Sequence, residues 1–510
     1  MAKRETELKL WASPRTLARL AADPLLGAPR GPARRLTAVY FDSPRFGFWR
    51  RGLTLRLRRE RGRWIQALKG GGSLEAGLHR RIELERRASG PAPDLSLVRG
   101  EPLGKLAARV AGSAALVPVF RVEVSRATRV VSPAPGEAIE VSLDQGAIVA
   151  GTSRAPVREI ELELKRGPAW RVFDLAREIA SRYPVRVETR TKAERGYALA
   201  GGARPAPVRA RLAVIGPEMS ANEAFAAACA LCLNHLQANA QGVIRGADPE
   251  YLHQARVALR RLRAVLGAFA PLGPEKEFER RIAAVRALAR SLGPARDWDV
   301  FAGETLAPVV RQFPGHRGLA ALERAAARLR EQANRAARRV LVSRRYQRFV
   351  LEMGGWLARQ PWLAAGTAKQ GRAWRAPVRE HAREVLERCH RRMLKRGRGI
   401  GHLSMPRLHR LRIAAKRLRY AVAFFAALFE RRHVKPMLAA LNELQDVLGA
   451  INDRATAPAL IDSAYAAARG PLRREARTIV GHWNSAMREE RRRALKRAWK
   501  AFQGCGRFWR

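Results

Sequence analysis

The chain has 510 residues, enough for two to four domains with cores of their own. Its 98 Lys and Arg against 45 Asp and Glu give a formal charge of +53, split as +17 over residues 1–200 and +36 over the remainder. Partners should therefore be polyanions (nucleic acid, polyphosphate or an acidic membrane surface), and four cysteines are too few for a disulfide framework. No run approaches the ~18 apolar residues of a membrane span, and MAKRETELKLW lacks the apolar core of a signal peptide, so a soluble cytoplasmic protein is expected.

Up to about residue 200 short segments alternate in period two between Gly/Pro turns, which is strand behaviour. Glu5, Glu7 and Lys9 share one face of ETELKL, and Arg56 and Arg58 alternate with Leu55 and Leu57. The same holds for Arg81, Glu83 and Glu85, for Glu140, Ser142 and Asp144, for Glu159, Glu161, Glu163 and Lys165, and for Arg186, Glu188, Arg190 and Lys192. Each strand thus has one charged and one apolar face. On an open sheet the charged faces would be wet. Six such strands, with helix-like Thr16–Ala22 and Trp170–Arg182 to cover the apolar faces, favour a closed antiparallel barrel with a charged bore. Acids at i, i+2 and i+4 repel unless a cation sits among them, and hard divalent ions prefer such oxygen ligands. Arginines and lysines facing the same bore suit phosphate oxygens, the arrangement phosphoryl-transfer chemistry uses.

The stretch Gly201–Met219 is rich in Pro, Gly and Arg and reads as a linker, after which Ala/Leu/Arg-rich helical periodicity continues nearly to the end. Cys229 and Cys232 form a C-x-x-C with His235 nearby, but no second pair has zinc-site spacing, and buried helix packing is the better reading. Two basic helices then repeat: LHQARVALRRLRAVLGAF from Leu252 and LHRLRIAAKRLRYAVAFF from Leu408 agree at eight of eighteen positions. The register extends from LGPARDWD at Leu292 to LGAINDRA at Leu448. Each repeat has an apolar stripe and, beside it, a basic one: His253, Arg256, Arg260 and Arg263 in the first, His409, Arg412, Lys416 and Arg419 in the second. Neither holds an acid, although stacked like charges destabilise a helix by roughly 0.2–0.5 kcal/mol per pair. An anion clamped between the two helices accounts for that better than a wet surface does. Asp248-Pro249-Glu250 and Ser404-Met405-Pro406 should cap these helices, Arg372–Gly399 should supply another basic helix, and Trp362–Gln370 reads as a loop.

With these motifs in place, the first 200 residues resemble the CYTH, or triphosphate tunnel metalloenzyme, superfamily. The matching motifs are E-x-E-x-K at Glu5, YFDSP at Tyr40, LTLRLR at Leu53, LKGGG at Leu68, RIELE at Arg81, EIELELK at Glu159 and TKAERGY at Thr191. Residues 216–505 resemble the CHAD domain through LHQARVALRRLR, LGPARDWDV, LHRLRIAAKRLRY and LQDVLGAIND. The resemblance implies an α+β multidomain chain: a closed antiparallel tunnel with flanking helices over 1–200, a linker over 201–215, and an all-α domain with an internal pseudo-twofold duplication. It also implies that Glu5, Glu7, Glu161 and Glu163 hold Mg²⁺ or Mn²⁺. Lys9, Arg56, Arg58, Lys69, Arg126 and Lys192 would grip the triphosphate, with Glu83, Glu85, Asp144 and Glu159 in support. The family often has a hydroxyl residue two positions before the loop lysine, where this chain has Ala67. The implied function is hydrolysis of inorganic triphosphate to diphosphate and phosphate, with inorganic polyphosphate bound by the basic stripes and polyphosphate granules as a cellular location. The alternative is a non-catalytic polyphosphate scaffold. Nucleic-acid binding ranks as non-specific, because aromatic residues are not interleaved with the basic stripes.

Overall fold

In a computed structural model, residues 3–60, 62–201, 205–211, 215–246, 248–468, 473–485 and 488–510 are described. Parts of the expected linker, residues 202–204 and 212–214, lie outside them, as do the side chains of 452–457 in the second LG repeat. The chain divides into two compact units, one of Met1–Pro207 with Val342–Gln360, the other of Val208–Leu341 with Pro361–Arg510.

The first unit is a closed antiparallel barrel. Its strands are β1 (Lys3–Trp11), β2 (Arg34–Asp42), β3 (Thr54–Glu60), β4 (Arg63–Glu75), β5 (Leu78–Ala88), β6 (Val117–Val131), β7 (Ala138–Ala150), β8 (Ser153–Arg166) and the short β9 (Arg186–Val187). They run in the order β5-β4-β3-β2-β6-β7-β8-β1, and β1 closes back on β5. β1 divides its second edge: residues 3–8 pair with β5, while Leu10 and Trp11 pair with β9. Helices α1 (Pro14–Ala21), α2 (Gly47–Arg50), α3 (Pro102–Ala111), α4 (Trp170–Arg182) and α5 (Lys192–Leu199) complete the N-terminal part. The outward apolar faces are covered as the alternation requires. Leu55, Leu57, Leu68 and Leu84 pack with Leu103 and Ala107 of α3, and α1 and α4 lie over β1, β7 and β8.

The inward faces change character along the strands. On β7 the bore-facing Glu140, Ser142 and Asp144 give way to Gly146, Ile148 and Ala150. On β8 Glu163, Glu161 and Glu159 give way to Val157, and on β6 Arg126 gives way to Val124, Val122 and Phe120. Helix α5 packs into this apolar end through Ala193 and Tyr197. Gly196 makes the approach possible, since a Cβ there would lie 2.2 Å from the Phe120 ring. The bore is therefore charged at one end and plugged at the other.

The second unit is helical: α6 (Ala221–Arg245), α7 (Pro249–Phe269), α8 (Glu275–Ser291), α9 (Gly293–Val300), α10 (Ala307–Gln312) and α11 (Arg317–Val342) come before the excursion. The helix α12 (Arg344–Arg359) belongs to the first unit, and α13 (Ala368–Arg375), α14 (Val378–Gly397), α15 (Met405–Phe425), α16 (Arg431–Ala467), α17 (Arg473–Ser485) and α18 (Arg488–Gln503) follow. The repeat helices are α7 and α15. Leu252, Ala255, Leu259, Leu262, Leu266 and Phe269 are all buried on α7, as are Leu411, Ala415, Leu418, Val422 and Phe425 on α15, while Leu408 is half-buried. An aromatic cluster of Phe225, Phe269, Trp362 and Trp374 joins α6, α7 and α13. Asp248 caps α7 by accepting from the Glu250 amide. Ser404 occupies the N-cap of α15 but makes no capping bond with its side chain. Trp362–Gln370 differs from the loop expected there. Thr367 and Gln370 form a capping box that starts α13 at Ala368, a T-x-x-Q signal that the low-complexity, Ala-rich composition masked.

Candidate functional site

β1 is the strand that closes the barrel, so its inward residues lie between two neighbours bearing opposite halves of the charged bore. On one side Lys9 stands opposite Glu161 and Glu7 opposite Glu163 of β8. On the other, Glu5 stands opposite Arg81 and Glu7 opposite His79 of β5. Around these, the six expected phosphate-gripping cations form two groups. Lys9, Arg126 and Lys192 converge on Glu161 at 2.7, 2.6 and 2.8 Å, and Lys192 also reaches Asp144 and Glu159, each at 2.8 Å. Arg126 holds Asp144 with a two-pronged contact at 2.7 and 2.6 Å. The second group is Arg56, Arg58 and Lys69. Arg56 lies 3.2 Å from Glu83, Arg58 3.0 Å from Glu85, and Lys69 2.6 Å from Glu5 and 3.1 Å from Glu83.

The electrostatics of the first group are set by burial and overcome by pairing. Desolvation lowers the pKa of Lys9, but Glu161 and Glu7 outweigh it and hold the amine above its usual value. The same contest, decided by Asp144, Glu159 and Glu161, keeps Lys192 well above the usual range. Burial raises Glu161, but Lys192, Lys9 and Arg126 bring it well below the ordinary carboxylate value. These side chains are ionised together, and each cation is matched by carboxylates in a poorly solvated place. An anion with several oxygens would bind there by taking over contacts that the carboxylates now make.

The carboxylates expected to hold a metal separate into two kinds. Glu7 and Glu163 face each other across β1 and β8, and Glu140 is next in line across β7, three acids in one row. Lys165, 2.6 Å from Glu163 and 3.2 Å from Glu140, offsets part of their repulsion, and Lys9 lies 2.8 Å from Glu7. Among the described residues no group of three His, Cys, Asp or Glu already converges on one point suited to an ion. As a donor set, Glu5, Glu7 and Glu163 fit a hard divalent cation, being oxygen ligands crowded on one wall. Glu161 is different: three cations enclose it, and it fits the part of their shared counter-charge.

One bore residue escaped the sequence reading. His79 is buried beside Glu7 on the charged face, and Arg81 lies 3.3 Å from its Nδ1. A guanidinium only donates, so Nδ1 accepts and the proton sits on Nε2, which has no hydrogen-bond partner among the described residues. Burial, then Lys9 and Arg81, push its pKa down to about 3. The alternation that marked Arg81, Glu83 and Glu85 reaches His79 one step earlier and would have included it. Arg195, which donates to Glu159 from α5, was missed because helical spacing hides its direction.

In the second unit, a cavity of about 1260 Å³ lies where α7, α8, α14 and α15 meet. Its wall includes Arg260, Arg261, Arg263, Arg286, Arg388, Arg392, Lys416 and Arg417, against only Glu275 and Glu279. Of the eight stripe residues, Arg260, Arg263, His409 and Lys416 line it, whereas His253, Arg256, Arg412 and Arg419 do not. Arg256 instead donates to the Ala289 carbonyl at 2.8 Å, and its Nη1 lies 3.4 Å from where a Cβ on Gly293 would be. Arg412 repeats the arrangement at Gly449, with Nη2 at 3.6 Å. The duplicated arginine thus packs on the duplicated glycine. Arg419 donates to Gln445 at 3.0 Å. Arg260 donates to the Tyr420 hydroxyl at 3.2 Å; burial would raise that phenol's pKa, but Arg260 and Arg419 hold it below its usual value. Cys229 and Cys232 are buried in α6, and His235 bonds the Val208 carbonyl and Gln254, as helix packing requires.

Comparison with known proteins finds two domains in succession along the chain, the second match running through α12. A model of the CYTH domain matches residues 3–197, and a model of the CHAD domain matches residues 227–462. An inorganic triphosphatase of Haemophilus influenzae is 32% identical over 167 residues, which is 32% of this chain and 45% of that protein. The chain thus spans less than half the length of that relative. The CHAD domain of the plant Ricinus communis is similar at 30% identity and a TM-score of 0.50, covering 59% of this chain and 97% of that one. A Hippeastrum protein reported to have a dominant triphosphatase activity aligns at 18% identity and a TM-score of 0.30, over 39% of this chain and 96% of its own. Among the described residues no helix is long and apolar enough to cross a membrane. The chain carries a CYTH domain followed by a CHAD domain.

Proposed function

We propose that the first unit hydrolyses inorganic triphosphate to diphosphate and phosphate with the help of Mg²⁺ or Mn²⁺, and that the second binds inorganic polyphosphate. The observation that carries the reading is the bore itself: six cations in two groups, with the carboxylates of β1 between them. An eight-stranded barrel has room for side chains and one small ligand, and the apolar end of this one is occupied by α5. A short, highly charged substrate suits the space that is left. Lys9, Arg126 and Lys192 would hold one end of it and Arg56, Arg58 and Lys69 the other, exchanging their present carboxylate partners for phosphate oxygens. Glu5, Glu7 and Glu163 are the residues that would hold the divalent ion, which supplies charge neutralisation and activation of water. The similarity to an inorganic triphosphatase of Haemophilus influenzae supports the same substrate. For the second unit, the support is a cavity wall rich in arginine and shared by the two repeat helices.

The test is phosphate release from tripolyphosphate, ATP, thiamine triphosphate and long-chain polyphosphate, each with Mg²⁺, Mn²⁺ or EDTA. Tripolyphosphate is expected to be turned over fastest and only with a metal. No release from it under any condition would leave a binding scaffold as the reading.

A further inference from the structure

Helix α12 lies in the second half of the chain, yet packs in the first unit. It covers α4: Gly354 has no Cβ where the Phe173 ring comes within 2.3 Å of that position, and Arg359 lies over the Trp170 ring at 3.9 Å and 3.6 Å from Asp174. One side chain of α12 does more than cover. Gln347, buried, accepts a hydrogen bond from the amide of Val187 at 2.9 Å.

Val187 belongs to β9, the two-residue strand that pairs with Leu10 and Trp11. The next amide, Glu188, donates to the carbonyl of Lys9 at 2.9 Å. Successive amides of a strand point to opposite sides, so Val187 turns its N–H away from β1, and an edge-strand donor in a buried place needs an acceptor. Gln347 supplies it. Four residues beyond Glu188, Lys192 opens α5 and meets Asp144, Glu159 and Glu161. β9 therefore fastens to the backbone of one bore lysine and leads directly into the other.

We propose that Gln347 is a positioning residue for the bore, which holds β9 in place and through it Lys9 and Lys192. The inference rests on the reading of the bore as the catalytic site, and it makes a helix from the second half of the chain part of the first unit's machinery. Gln347 touches no substrate. Its effect passes through the strand it holds.

The test uses the full chain with Gln347→Leu, similar in size but without an acceptor, and Gln347→Glu, which retains one. Arg359→Ala is the control, because it loosens α12 at Trp170 and Asp174 without touching β9. Gln347→Leu is expected to lower kcat/KM for tripolyphosphate by about tenfold or more. It should also speed amide exchange at Val187 and Glu188, with Gln347→Glu recovering most of both. Arg359→Ala should cost thermal stability with kcat/KM within about twofold of the unaltered chain. Should the leucine variant not fold, Gln347→Ala replaces it in the same comparison. Unchanged kcat/KM and exchange in the variant lacking the acceptor overturn the proposal, and so does an equal loss in Arg359→Ala. If the unaltered chain hydrolyses nothing, the proposed function fails on its own account. The exchange rates and calorimetric tripolyphosphate affinity then decide whether Gln347 orders the strand and its lysines.

Discussion

Glu161 and Glu163 are two residues apart on one strand and face the same bore, yet their surroundings give them different work. Glu161 is the common partner of Lys9, Arg126 and Lys192. Its replacement by Gln leaves three buried cations short of one counter-charge, and a loss of about 3–5 kcal/mol is expected. Glu163 stands in a row with Glu7 and Glu140, so Glu163→Gln relieves repulsion and should leave the melting temperature unchanged or raised. If it is a metal ligand, the same variant loses most of its metal-dependent turnover. Melting in EDTA and phosphate release in Mg²⁺ separate the two roles. Equal stability losses in both variants would show that the distinction is wrong. A second residue-scale expectation concerns His381, whose Nε2 donates to the Ala268 carbonyl and whose pKa burial pushes down to about 4. The unfolded chain protonates this histidine near 6.5 and the folded one only near 4, so its contribution is complete above 6.5 and disappears as pH falls through that window. Relative to His381→Gln, the unaltered chain should lose about 2 kcal/mol more between pH 7 and pH 5. Urea unfolding followed by helical signal at the two pH values measures it, and parallel pH dependence in the two chains would refute it.

At the scale of elements, the charged faces of the strands and the stripes of the repeat helices were legible because both follow fixed periods, two and 3.6. Period says which residues share a face but not what that face meets. So Arg256 and Arg412 belong to the same stripes as Arg260 and Lys416, yet pack on Gly293 and Gly449. The repeated LG segments contained the clue, since the glycine recurs at the same interval as the arginine. The plug was hidden for a related reason. Gly146, Ile148 and Ala150 continue the inward face of β7, but nothing local shows that α5 will return to cover them. A prediction follows from the division of the stripes. Arg260→Glu with Lys416→Glu should weaken long-chain polyphosphate binding by roughly a hundredfold or more, whereas Arg256→Ala and Arg412→Ala should lower stability and leave affinity nearly intact. Titration at fixed ionic strength, beside melting curves, distinguishes them. A comparable affinity loss in both pairs would make the stripes one undivided anion surface. Displacement of polyphosphate by duplex DNA at equal phosphate concentration would make that surface a general one.

At the scale of the whole molecule, chain order and compact units do not coincide. A composition change near residue 200 marks where strands give way to helices, and it is a sound guide to local structure. It carries no information about α12, whose amphipathic pattern resembles that of its helical neighbours. The pair Gly354-Gly355 was the one unusual feature, and its reason is the Phe173 ring seated against it. A piece ending at Pro207 therefore retains the bore residues but loses its cover over α4 and the acceptor for Val187. Phe173 is almost fully buried in the complete chain, and exposing a side chain of that size costs about 1.5–3 kcal/mol. With the open edge of β9 added, the total is several kcal/mol, or about 10 °C in a unit of some two hundred residues. Residues 1–207 should accordingly melt about 10 °C below the same piece carrying residues 342–360 on a flexible linker, and a separate 342–360 peptide should raise its melting temperature with the logarithm of peptide concentration once that exceeds Kd. Scanning calorimetry on the three preparations is sufficient. If the short piece melts with the linked one and ignores the peptide, α12 is a passenger on a barrel complete without it, and the positioning role of Gln347 falls with it.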